Sequence, residues 1–188
     1  MPPVSKLDSE QAMYHFISGY TSKVAGTEIG VTEPTPTFSA CFGEAFLPLH
    51  PFVYAEMLAE MCEKHKVKVW LINTGWVRGG YGVGKRMSLT MTRAIIDSIH
   101  DDSLDMSDFQ LMRRFNLKVP NECFGVDPEI LRPIRAWPNK EDYKVAALNL
   151  ANKFVTNFER YADGVPDEVV KIGGPNLGFT TPAESKSE

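Results

Sequence analysis

Residues 67–100, VKVWLINTGWVRGGYGVGKRMSLTMTRAIIDSIH, decide the fold class. Val67, Val69, Trp70, Leu71 and Ile72 make a short apolar, largely β-branched run after a charged segment. That pattern predicts a strand covered on both faces. Gly75, Gly79, Gly80, Gly82 and Gly84 follow, with Arg78, Lys85 and Arg86 among and just after them. Glycines let a backbone approach a ligand closely, and exposed amides beside cations suit an anion. A helix is expected next, opened by Thr90 or Thr92, with Ile95, Ile96 and Ile99 on one face and Asp101-Asp102-Ser103 at its end. Strand, glycine loop and helix is how α/β proteins commonly build nucleotide sites. The bland reading is a loop with solvated cations.

Gly79 to Lys85 also satisfies G-x-x-x-x-G-K, the first part of a P-loop. The next position should be Ser or Thr, whose hydroxyl holds magnesium, and here it is Arg86. A P-loop helix starts at the lysine so that its first amides face the phosphates, whereas Met87-Ser88-Leu89 intervenes here. An independent P-loop NTPase is therefore disfavoured.

The chain has 188 residues, enough for one domain with a core or for part of a larger one. Its 43% hydrophobic and 23% charged content is that of an ordinary globular protein. A net charge of −4 gives no hint of a nucleic-acid partner. Cys41, Cys62 and Cys123 are widely spaced, without CxxC or a zinc pattern, and read as reduced structural cysteines in a cytosolic setting. No apolar run reaches the length of a membrane span and no signal peptide is visible, so no membrane partner and a cytoplasmic location are expected.

From the start, Met1-Pro2-Pro3-Val4 is extended and already apolar, and reads as a cut through a larger protein. Asp8 with Gln11 forms a capping box for a helix carrying Met13, Phe16, Ile17, Tyr20 and Val24, ended by Gly26. His15 lies among these and reads as a packing or surface histidine rather than a ligand. Residues 26–50 show no period and read as a long loop. His50-Pro51 opens a second helix with Tyr54, Met57, Leu58, Met61 and Cys62 as its apolar face. Residues 104–138 read as irregular, with a short strand near Phe115–Val119. The longest helix is expected over about 140–161, with Tyr143, Ala147, Leu150, Ala151, Phe154, Phe158 and Tyr161 as its stripe. From Gly173 a polar tail is expected to be disordered.

These segments resemble a known family. PPVSKLDSEQAMYHFISGYTSKVAGTE, VTEPTPTFSACFGEAFLPLHP, LINTGW, GKRMSLTMTRAIIDSIHDDSL and FNLKVPNECFGVDPEILRP are similar to consecutive blocks of ATP-dependent phosphoenolpyruvate carboxykinase. The resemblance covers roughly residues 2–177, leaving 178–188 as tail. It implies an α/β fold, the C-terminal part of the carboxykinase nucleotide-binding lobe, with a mixed sheet and flanking helices. It implies conversion of oxaloacetate and ATP to phosphoenolpyruvate, CO2 and ADP in gluconeogenesis, by a carboxy-lyase. The family's P-loop, its Mg2+ and Mn2+ ligands and its oxaloacetate-binding residues all lie upstream of this segment, so no catalytic or metal-ligating residue is expected here. By resemblance Arg86, Met87 and Thr92 contact ATP. Met87 departs from the isoleucine common in the family, and the loop GGYGVGKR is longer than family versions with GTGKR.

A guanidinium stacks on a purine face and a threonine hydroxyl near a helix start bonds a ribose or base, but neither performs phosphoryl transfer. This segment alone is expected to be inactive. The alternative is a non-catalytic truncated module that forms a homo-oligomer through an unpaired sheet edge and exposed apolar faces.

Overall fold

The computed structural model describes residues 1–23 and 33–179. Val4–Leu7 forms strand β1, which has a neighbour on each side. On one side lies β4 (Val69–Ile72), in antiparallel register from Val4 opposite Ile72 to Leu7 opposite Val69. On the other lies β8 (Leu117–Pro120), followed by β7 (Phe109–Met112) at the far edge, both pairings antiparallel. The α/β class with flanking helices stands. Every described pairing is antiparallel, so a mixed sheet would need strands from beyond these residues. The strand covered on both faces is β1, where Val4 and Ser5 are fully buried, rather than β4. Among the described residues β4 is an edge strand with hydrogen-bonding partners on one side only, and all four of its residues are half-buried.

Helix α1 (Ser9–Ser18) begins as the sequence predicts: Asp8 accepts from the Gln11 amide, and the Gln11 side chain accepts from Asp8. It ends at Gly19, not Gly26, which lies outside the described residues. Gly19 takes the left-handed conformation at φ 53°, and a Cβ there would overlap the Ser39 carbonyl oxygen. The chain then turns into β2 (Tyr20–Lys23), so Tyr20 belongs to a strand rather than the helix. β2 pairs with β3 (Thr35–Phe38), which gives structure to part of the expected loop. Two 3-10 turns, Ala40–Phe42 and Glu44–Phe46, complete that stretch.

Helix α2 (Pro51–His65) starts at the predicted proline, with the His50 ring accepting from the Phe52 amide. Its fully buried positions are Pro51 and Ala55, whereas Met57 and Met61 are more than half exposed. After a short hairpin over residues 76–86 comes α3 (Leu89–His100), ended by Asp101 as expected. Residues 104–138 are more ordered than predicted, because β7 and β8 form a hairpin and two short helices follow, α4 (Pro128–Leu131) and α5 (Pro133–Ala136). Each short helix carries proline at its start.

Helix α6 (Lys140–Phe158), capped by Asn139 and prolonged by a 3-10 turn to Tyr161, matches the predicted stripe closely. Tyr143, Ala147, Ala151, Phe154 and Phe158 are buried on it. Helix α7 (Asp167–Gly173), which the sequence pattern does not predict, packs on α1. The expected disordered tail therefore begins too early. Gly173 and Gly174 lie against Tyr14, and Arg114 donates to the Asn176 and Leu177 carbonyls. Residues 180–188 lie outside the description.

Two apolar clusters hold these elements. One joins α1, α6 and α7 with Phe115 and Leu117. The other joins Val4, Met87, Ile95, Leu104, Val119 and the α4 residues Ile130 and Leu131.

Candidate nucleotide-binding cleft

β4 stops at Ile72 because Asn73 turns the chain. Its amide donates to the Pro3 carbonyl at 2.8 Å, and its side-chain oxygen accepts from the Gly75 amide at 3.2 Å. The glycine loop is a β-hairpin. β5 (Trp76–Val77) pairs with β6 (Lys85–Arg86), setting Trp76 opposite Arg86 and Val77 opposite Lys85. Gly79 and Gly82 take positive φ angles, and a Cβ on Gly84 would overlap the Gly79 and Val77 carbonyl oxygens. The glycines let the 78–84 connection fold back on itself between the two strands.

That geometry excludes a P-loop. Lys85 sits in a strand, and the next helix begins only at Leu89, capped by Ser88, whose Oγ accepts from the Met91 amide at 3.2 Å. The cap is Ser88 and not the expected Thr90 or Thr92. Arg78 is also committed elsewhere: its guanidinium meets Asp127 at 2.6 Å, and Asp127 caps α4. Lys85 and Arg86 have no ion-pair partner among the described residues.

Arg86 borders a cleft of about 400 Å³. Its other walls include Trp76, Trp137, Tyr20, Asn73 and Gly79. Burial raises the Tyr20 phenol above its usual range, so it stays a neutral hydroxyl. Among the described residues no carboxylate, histidine or cysteine lines the cleft. Such a site offers a cation, aromatic faces and amide groups, which suits binding a planar anionic ligand rather than transforming it.

The other two predicted contacts sit differently. Met87 is 6% exposed, with its side chain in the second apolar cluster, and its amide donates to the Gly75 carbonyl at 2.9 Å. Thr92 is half-buried one turn into α3, and its hydroxyl donates to the Ser88 carbonyl at 3.1 Å. Neither lines the cleft that Arg86 borders. The two tryptophans of the cleft come from segments far apart in sequence, so no local motif announced them. As for a metal, no group of three or more His, Cys, Asp or Glu residues able to hold an ion occurs among the described residues. The described residues do not fit a Mg2+ or Mn2+ site of their own. No described helix is long and apolar enough to cross a membrane.

Comparison with known proteins agrees with the resemblance. The family model described as phosphoenolpyruvate carboxykinase matches residues 1–129. A phosphoenolpyruvate carboxykinase (ATP) of Campylobacter lari is 55% identical over 177 residues, 94% of this chain and 34% of its own length. The protein of the same name from Dictyostelium discoideum is 53% identical over 173 residues, 92% of this chain and 31% of its own. That of Fusobacterium nucleatum is 48% identical over 173 residues, again 92% of this chain and 33% of its own. The chain thus spans about a third of the length of these relatives. With identity at this level running almost from end to end, the chain belongs to the phosphoenolpyruvate carboxykinase family.

Proposed function

We propose that this segment supplies the adenosine side of the ATP site of an ATP-dependent phosphoenolpyruvate carboxykinase. The whole protein would convert oxaloacetate and ATP to phosphoenolpyruvate, CO2 and ADP, as a gluconeogenic carboxy-lyase in the cytoplasm. The observation that carries this reading is Arg86, a cation without an ionic partner among the described residues, at the rim of an aromatic-walled cleft. Its guanidinium stacks on the purine, and Trp76 and Trp137 flank it. Met87 contacts the nucleotide through its carbonyl, since its side chain is in the core and its amide is already bonded. The Thr92 hydroxyl accepts a hydrogen bond, because its own proton goes to Ser88. Mg2+ and Mn2+ are held by residues outside this segment. The 188-residue chain alone accordingly shows no turnover of oxaloacetate with ATP and either metal.

ATP titration calorimetry of a full-length carboxykinase carrying this segment tests the assignment. Arg86→Lys keeps the charge but loses the planar face. Affinity for ATP falls about threefold to thirtyfold, the equivalent of ~0.6–2 kcal/mol of stacking. Lys85→Ala, in a strand rather than under a phosphate, changes it much less. A larger loss for Lys85→Ala than for Arg86→Lys would sink the assignment.

A second reading is favoured by one observation. Val53, Met57 and Met61 follow each other at four-residue spacing on α2, all exposed, beyond the exposed Phe42, Phe46 and Leu49. As an isolated chain this segment would be a non-catalytic module that self-associates through that ridge.

A further inference from the structure

Away from the Arg86 cleft, the turn of the β7–β8 hairpin, the α4–α5 junction and the start of α6 enclose a hollow of about 330 Å³. Its rim brings together Arg113, Arg114, Arg132, Arg135 and Lys144, and among the described residues no carboxylate lines it. In a chain of net charge −4, five cations converging from three elements is a deliberate concentration of charge.

How the arginines are held matters more than their number. Arg114 donates to the Asn176 and Leu177 carbonyls, both at 3.1 Å, and Arg132 to the Asn121 side-chain oxygen at 2.6 Å. These partners fix each guanidinium without neutralising it. Arg113 and Arg114 also stand 6.0 and 5.6 Å from the Phe179 ring centre. Arg113 and Arg135 have no ion pair among the described residues. Only Lys144 is paired, with Glu141 at 2.7 Å, and that carboxylate is 73% exposed on the outside. The floor is apolar, formed by Met112, Ile134, Tyr143 and Ala147. Fixed, unneutralised guanidinium forks match phosphate and carboxylate oxygens in pairs, and the floor suits a short carbon skeleton.

We propose that this hollow is a binding site for a small metabolite bearing two or more negative charges, phosphate or carboxylate, separate from the nucleotide cleft. The mutual repulsion of the cations is relieved only when such an anion is seated. A monovalent anion would leave most of that charge facing itself, which is why the ligand is multiply charged.

Titration calorimetry of the 188-residue chain at low salt, with tripolyphosphate and with citrate as probes, tests this. At least one probe binds, and the tighter of the two tells whether phosphate or carboxylate is the better ligand. Arg113→Glu combined with Arg135→Glu, both exposed and without a side-chain hydrogen bond or ion pair among the described residues, weakens binding about tenfold or more while the circular dichroism spectrum is unchanged. Arg86→Ala leaves binding intact, which separates this site from the nucleotide cleft whether or not that assignment holds. Lys153→Glu, exposed further along α6, leaves it intact too. The proposal is overturned if neither probe binds. It is equally overturned if the double reversal has no effect, or if Lys153→Glu or Arg86→Ala costs as much.

Discussion

His15 is the residue whose surroundings say most about how the interior was built. It is 6% exposed, with Tyr14 and Phe154 meeting its ring edge-on at 5.8 and 5.5 Å. Its Nε2 has no hydrogen-bond partner among the described residues. Of the two sequence readings, packing or surface, the structure selects packing. Burial pushes the imidazole down to about 4 from an ordinary 6.5. Between those values the unfolded chain binds a proton that the folded chain does not, so stability falls as pH drops through 6.5 towards 4. Above 6.5 the histidine is neutral in both states and contributes no slope. Urea unfolding at pH 7 and pH 4.5 should show a loss that is smaller in His15→Leu, by about 2–3 kcal/mol. Equal losses in the two proteins would mean that the ring is hydrated and protonated in the fold. Gly19 is a second single-residue constraint, since any side chain there collides with Ser39 at a left-handed φ. Gly19→Ala should lower the melting temperature by several degrees, as about 1–3 kcal/mol of strain does in a domain of this size. An unchanged melting curve would show that the α1–β2 corner yields easily.

At the scale of elements, α6 is where local pattern and tertiary packing agree. Phe154 sits within 6.5 Å, ring centre to ring centre, of Tyr14, Tyr20, Phe38 and Phe115 as well as His15. It therefore ties α1, the β2–β3 hairpin and the β7–β8 turn to one helix. Phe154→Ala should cost about 3–5 kcal/mol by chemical denaturation, because rings from separate elements cannot all collapse into the vacated space. A cost below about 1 kcal/mol would mean that α6 is peripheral. This helix was legible in the sequence because its stripe repeats every three to four residues over its whole length. α2 was legible as a helix but not in orientation. Apolar residues lie on two adjoining faces, and only the fold decides that small Pro51 and Ala55 go inward while Met57 and Met61 stay out. The β2–β3 hairpin and the edge position of β4 depend on partners distant in sequence, which no local window reports. The candidate site divides in the same way. Arg86 enters the candidate site through the resemblance that its GKR motif carries, whereas the tryptophan walls exist only once residues 76 and 137 are brought together.

For the whole molecule, the decisive fact is that relatives of the same family are about three times as long, while this chain leaves large apolar side chains in solvent. Phe46 is 88% exposed, and Met57 and Met61 are each over half exposed. β4 and β7 each present one unpaired edge among the described residues. Scattered apolar residues on a surface are ordinary, but three along one helix face beyond an exposed phenylalanine form a ridge. Cys41 and Phe42, just before it, both hold positive φ angles without being glycine, a conformation that costs about 1–3 kcal/mol each unless surroundings enforce it. Ridge and strain together favour a surface that is covered when the protein functions. Studied alone, the 188-residue chain should therefore associate with itself as concentration rises, seen as a growing sedimentation coefficient. Phe46→Glu with Met57→Lys should shift the chain towards monomer, because desolvating a charge in an apolar contact costs more than the contact returns. The same pair should leave the unfolding midpoint of the monomer nearly unchanged, since both side chains already face water. A native chain that sediments as a single monomer at every concentration would overturn the prediction. Association that persists at full strength in the double variant would instead move the contact to the open edges of β4 and β7, where a backbone proline in β4 would then be the variant that breaks it.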